Sequence, residues 1–301
     1  MARARILVTG GAGQVGLELA QQPWPDGVEL HLPTRATLDL TSADSILRCV
    51  TEGSYAAVIN CAAWTAVDAA EDHVADAFLV NAHGPAWLAE AAHASGIPLV
   101  QVSTDYVFDG SLDRPWREDD PASPLGVYGA SKLAGEVAVR AKQPRSVVLR
   151  TAWVLSTHRA NFLKTMLRVG AERDSLTVVA DQIGCPTAAR DIAAALRKIV
   201  LRLIADEGAP TGVYHFVNSG EASWFELAKA IFEMAARLGG PSPHVTAIPT
   251  TAYPTRAPRP ANSRLDTSKI GRDYGIVARD WRDAVQEIVS ELLAANTGRK
   301  G

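Results

Sequence analysis

The chain has 301 residues, 47% of them hydrophobic and 21% charged, with a formal net charge of −3. That length suits one large domain or two unequal ones, and a slightly acidic chain without clustered basic residues excludes a nucleic-acid footprint. No apolar stretch approaches the ~18–20 residues that cross a bilayer. The first strand begins too early for a signal peptide to precede it. Cys49, Cys61 and Cys185 have neither metal-ligand nor redox spacing. The expectation is a soluble, cytoplasmic protein with free thiols and no nucleic-acid or membrane partner.

Residues 5–9 read as a buried strand, followed by a glycine loop and a helix from about Gln14. Residues 28–32 are a second strand candidate. Residues 57–60 and 98–103 are further apolar runs, too short for helices and each preceded by helical sequence. Residues 146–151 repeat the pattern after a helix that carries Tyr128. Strands that alternate with helices and are apolar throughout predict an α/β fold, a Rossmann-type doubly wound parallel sheet.

After Thr151 the rhythm loosens. Residues 176–180 are expected to add a strand, and 190–205 a helix, to the same sheet. Residues 213–216, a helix around 224–238 and a final helix from about Trp281 are expected to form a smaller C-terminal α+β substrate domain. The predicted boundaries are 1–150 plus about 174–206 for dinucleotide binding, and about 151–173 plus 207–301 for the second unit. Between its elements, Pro249, Pro254, Pro258 and Pro260 exclude regular structure and predict a semi-rigid bridging loop.

Gly10, Gly13 and Gly16 directly follow the first strand. Gly10 permits a tight turn, Gly13 lets the backbone approach a pyrophosphate, and Gly16 lets helix and sheet pack closely. The spacing is GxxGxxG, the form associated with short-chain dehydrogenases. After the second strand Arg35 stands where an acidic ribose ligand is expected. Arg35 either pairs with a 2′-phosphate, favouring NADPH, or is a solvated surface arginine, which leaves NADH open. Asp39 and Leu40 are candidates to flank the adenine. Ala63, Trp64 and Thr65 are candidates to lie along the pyrophosphate and the nicotinamide ribose.

Tyr128 and Lys132 are four residues apart, one helical turn, so phenol and ammonium share a face. A neighbouring cation favours the phenolate and draws a phenol toward a useful working range. Thr104, ending an apolar run, offers a third hydroxyl. The seven histidines share no ligand spacing, so no catalytic metal is expected.

These residues sit in segments that carry a family pattern: Gly13-Gln14-Val15-Gly16, Asn60 to Asp68, Val80-Asn81, Ser103 to Phe108, Ser123 to Gly129, Arg150 to Val154 and Arg259 to Leu265. The chain resembles the dTDP-4-dehydrorhamnose reductases, extended members of the short-chain dehydrogenase/reductases. The resemblance implies reduction of a 4-keto nucleotide sugar. Tyr128 would be proton donor, Lys132 its electrostatic partner and a ribose ligand, and Thr104 the polarising hydroxyl. It places Thr104, Asp105, Tyr128 and Trp153 around the sugar. Gly13, Gln14, Val15, Asp39, Leu40, Ala63, Trp64, Thr65, Val102, Tyr128 and Lys132 would line the cofactor.

Two departures qualify it. Trp64 stands where the family often has Tyr or His. Some members bridge a homodimer through carboxylates and Mg2+; Glu18 fits one of those positions, but Arg190 stands where another acid is expected. Arg256, Arg259 and Arg264 in the proline-rich loop are either ligands for the substrate diphosphate or a solvated basic loop. Trp153 either abuts the sugar or belongs to the core. Rival readings are another nucleotide-sugar reductase or a 4-epimerase on the same scaffold, or a non-catalytic nucleotide-binding regulatory subunit. A 4,6-dehydratase would need a carboxylate where Tyr106 follows Thr104 and Asp105.

Overall fold

The computed structural model describes residues 4–297, with side chains described through residue 295. Five short apolar segments form the strands β1 (Ala4–Thr9), β2 (Val28–His31), β3 (Ala57–Asn60), β4 (Leu99–Thr104) and β5 (Ser146–Thr151). With a sixth strand, Gly212–His215, they make one parallel sheet. Numbered β1–β5 in chain order, the strands lie in the sequence 2-1-3-4-5, with the sixth beyond β5. All pairs are parallel, as helical crossovers require.

Both faces are covered, which explains the unbroken apolar runs. On one face Ile6, Val8, Ile59 and Leu149 pack against Leu19 of the helix Gln14–Ala20 and Ile192, Leu196 and Ile199 of the helix Ala189–Ala205. On the other, Leu7, Val58 and Val148 pack against Ile46, Val50 and Leu88 of the helices Ala43–Glu52 and Gly84–Ala94. Chain order reverses across the sheet between β1 and β3, the position where open α/β sheets form a crevice at their strand C-termini.

A second core lies beside this sheet. Leu163, Leu227, Ile231, Trp281, Val285 and Val289 join the helices Phe162–Gly170, Trp224–Arg237 and Trp281–Thr297. Ser223 and Glu226 close a reciprocal capping box at the start of the middle helix.

Two strands exchange the places expected of them. Ser175–Val179 does not extend the main sheet; it pairs with His244–Ile248 in a separate two-stranded sheet. Its alternating exposure suits a ribbon that lays Leu176 and Val178 on Ala228 and Phe232 of the second core. Gly212–His215 is not part of the smaller unit. Val213 registers with Val148 and Tyr214 with Leu149, continuing the hydrophobic faces of β5. The proline-rich loop is irregular as expected, apart from a 3₁₀ turn at Thr250–Ala252.

Candidate active site

The loop after β1 is shaped by its glycines. Gly10 has φ 69°, and a Cβ there would lie 2.6 Å from the Ala62 amide nitrogen. A Cβ on Gly16 would lie 2.6 Å from Gly11 Cα, so both positions exclude any side chain. Two cavities, about 560 Å³ and 390 Å³, meet over this loop and share Gly10, Gly13, Ala62 and Ala63. They form one groove across the strand ends.

The smaller end holds Arg35, Asp39, Leu40 and Trp64. Asp39 keeps its carboxylate on Thr41, accepting from the amide at 2.9 Å and the hydroxyl at 2.7 Å. Those hydrogen bonds hold it below the usual carboxylate range. Trp64 is fixed by its backbone, whose N–H donates to Asn81 Oδ1 at 2.8 Å, while Asn81 Nδ2 donates to the Trp64 carbonyl at 3.0 Å. Asn81 sits in a π-helical turn, Leu79–His83, and also donates to Ser131 Oγ on the helix Val127–Lys142. Sequence reading assigned Asn81 no role.

The larger end brings together Gln14, Val15, Thr65, Val102, Thr104, Asp105, Tyr128, Lys132 and Trp153, every one expected at the site. Thr104 ends β4, and Tyr128 and Lys132 lie on the helix Val127–Lys142. Thr104 Oγ1 donates to Asp105 Oδ1 at 3.0 Å and accepts from the Tyr106 amide at 3.3 Å. Lys132 donates to the Val102 carbonyl at 2.7 Å.

The expected effect of Lys132 on the phenol is not what the structure gives. Burial pushes the Tyr128 phenol up, the Thr104 hydrogen bond only partly opposing it, with Asp105 and Tyr106 adding to the rise. Burial also draws Lys132 down to about 8, against the pull of Glu136 and Cys61. The phenol therefore stays protonated through neutral pH, the state a proton donor needs.

Three buried side-chain oxygens on groove-lining residues have no hydrogen-bond partner among the described residues: Ser103 Oγ, Asp105 Oδ2 and Thr151 Oγ1. Buried polar atoms are nearly always paired, so these three are exceptions. Only Asp105 among them was expected. Trp153 packs in the core, its ring stacked on Trp224 at 3.5 Å, and it also lines the groove. Its φ of 47° is left-handed, uncommon for so bulky a residue.

The loop arginines are committed elsewhere. Arg256 pairs with Asp72, Arg264 donates to Glu221 at 2.9 Å, and Arg259 donates to Asp68 at 2.6 Å. Neither reading from sequence, diphosphate ligand or solvated loop, describes Arg264, whose side chain is mostly buried. Arg259 lies over the Tyr106 ring with a buried, unpartnered Nη1, one residue removed from the groove.

Sequence comparison then decides the family. A family model described as the RmlD substrate binding domain matches residues 4–294. A dTDP-4-dehydrorhamnose reductase of Sinorhizobium fredii is 42% identical over 290 residues, 96% of this chain and 98% of the relative. The chain belongs to the dTDP-4-dehydrorhamnose reductase family. Among solved members, the reductase of Clostridium acetobutylicum superposes with TM-score 0.90 at 36% identity, covering 96% of this chain and 99% of that one. The Bacillus anthracis reductase, solved in complex with NADP, gives TM-score 0.90 at 33% identity, covering 97% and 100%.

The magnesium bridge of some reductases in this family does not fit here. Glu18 Oε2 lies 3.5 Å from Arg190 Nε, and the same guanidinium reaches Glu287 at 3.5 Å and Glu291 at 2.8 Å. A resident cation already holds these carboxylates. A divalent ion placed among them would be repelled by Arg190.

Proposed function

We propose that the protein reduces the 4-keto group of dTDP-4-dehydro-β-L-rhamnose to dTDP-β-L-rhamnose with NADPH, the last step of dTDP-L-rhamnose synthesis. The observation that carries this reading is the convergence of Tyr128, Thr104 and Lys132 at one end of the groove that runs over the glycine loop. Gly10 and Gly16 pack the turn tightly enough on neighbouring backbone to bring Gly13 to the groove, which suits a pyrophosphate, and Arg35 at the far end suits a 2′-phosphate.

The cofactor supplies hydride. The chain's own residues supply the rest. Tyr128 directs its hydroxyl at the position where negative charge builds on the ketone oxygen and gives up its proton there, and Thr104 would join it once its hydrogen turns from Asp105 to that oxygen. Lys132 holds charge beneath the ribose side and steadies the phenolate that remains. Asp105 accepts from the Thr104 hydroxyl and so sets its orientation before the substrate arrives. The three free thiols favour a reducing, cytoplasmic setting.

Mixing the protein with NADPH and the 4-keto nucleotide sugar should consume one NADPH per sugar, followed by absorbance. Tyr128→Phe should fold and bind NADPH yet lose turnover by about 10²–10⁴. A Phe variant with near-normal turnover would remove Tyr128 from the chemistry.

A further inference from the structure

The segment 156–161 leaves the second core and lies across the glycine loop at three points. Ser156 Oγ and Asn161 Nδ2 donate to Gln14 Oε1 at 2.9 Å and 3.0 Å. Arg159 Nε donates to the Ala12 carbonyl at 2.6 Å. Arg159 has φ 55°, a conformation that costs a residue bearing a Cβ and that glycine adopts freely. Arg159 lines the groove together with Gly10, Gly13 and Val15. Unlike Arg190, Arg259 and Arg264, it has no carboxylate partner among the described residues.

An exposed cation is thus held by its Nε against the glycine-rich loop that follows β1, in a backbone state that disfavours it. We propose that Arg159 grips the pyrophosphate of the nicotinamide cofactor, reaching over the glycine loop from the substrate side. With Nε fixed on Ala12, both Nη groups are left to face the diphosphate oxygens, a geometry that guanidinium matches with paired hydrogen bonds. The proposal rests on the reading that this groove takes a nicotinamide dinucleotide.

The test is direct binding of NADPH and NADH to the full-length protein, titrated by nicotinamide fluorescence, in wild type and Arg159→Gly. Glycine suits φ 55°, so the loop keeps its course and loss of folding does not confound the result; circular dichroism checks it. Both cofactors share the pyrophosphate, so both dissociation constants should rise by the same factor, roughly tenfold or more. Arg159→Lys, which keeps the charge but loses the planar fork, should fall between the two. Unchanged constants in Arg159→Gly overturn the proposal. A loss confined to NADPH overturns it as well, because the contact would then be to the 2′-phosphate. A wild type that binds neither cofactor instead refutes the dinucleotide reading beneath it.

Discussion

Asp105 is a carboxyl with an unusual position: 3% exposed, one oxygen on the Thr104 hydroxyl and the other without a partner. Burial pushes it up to about 6, against the hydrogen bonds from Ser263 and Thr104. Its native state therefore keeps a proton that the unfolded chain has released between about pH 4 and 6. Stability falls as pH rises through that window, and the cost persists above it. Asp105→Asn is neutral throughout, so it should gain on wild type by on the order of 2–3 kcal/mol between pH 4 and 7. Urea unfolding at a series of pH values reads that difference directly. A difference that stays flat with pH would mean that Asp105 titrates as an ordinary carboxyl. Thr104, Tyr128 and Lys132 were legible in the sequence because their relation is local, a strand end and one helical turn. The orphaned oxygens of Ser103 and Thr151, and the double duty of Trp153, depend on what three distant segments leave uncovered. Spacing along the chain carries no record of that.

The helix Val127–Lys142, which carries Tyr128 and Lys132, shows what seats an element. Glycines let it approach backbone directly: a Cβ on Gly129 or Gly135 would clash with the Tyr106 or Asn81 carbonyl oxygen. On its inner face Glu136, 3% exposed, accepts from Arg150 Nε at 3.0 Å and Nη2 at 2.6 Å. Arg150 belongs to β5, so this fork ties the helix to the sheet. His215 beside it is held neutral, its imidazole drawn down to about 3 by burial and by Arg150. Glu136→Gln leaves the Arg150 charge buried without a counter-ion and should cost about 3–5 kcal/mol. Replacing both residues with methionine should recover most of that loss. Thermal unfolding of the single and double variants checks both. If the Gln variant alone unfolds like wild type, the pair does not anchor the helix. The alternation of strands with helices was readable from the short apolar runs, whereas sheet membership was not. Ser175–Val179 and Gly212–His215 are both short apolar runs, and only the surfaces that meet them decide which sheet each joins.

Across the whole molecule, the two cores are joined by charge as well as by packing. Arg190 sits in the first turn of the helix Ala189–Ala205, where the helix dipole disfavours a cation. Three carboxylates compensate it: Glu18 from the helix behind the glycine loop, and Glu287 and Glu291 from the C-terminal helix. Arg279 extends the network, donating to Asp191 at 2.9 Å and Glu287 at 2.7 Å. Glu18 is the member with most at stake, because it is 3% exposed and, apart from Arg190, meets among the described residues only the His158 imidazole, at 3.7 Å. Arg190 is itself 39% exposed, so solvent screens part of the attraction. Arg190→Ala should cost about 1–3 kcal/mol, mostly from stranding Glu18. Because the cation is covalently part of the chain, the unfolding midpoint of wild type should not change between EDTA and excess Mg2+. Arg190→Glu reverses that: four clustered carboxylates repel each other, the midpoint should drop by several degrees, and Mg2+ should restore part of it. A wild-type midpoint that falls on chelation would show that a metal, and not Arg190, holds the two cores together.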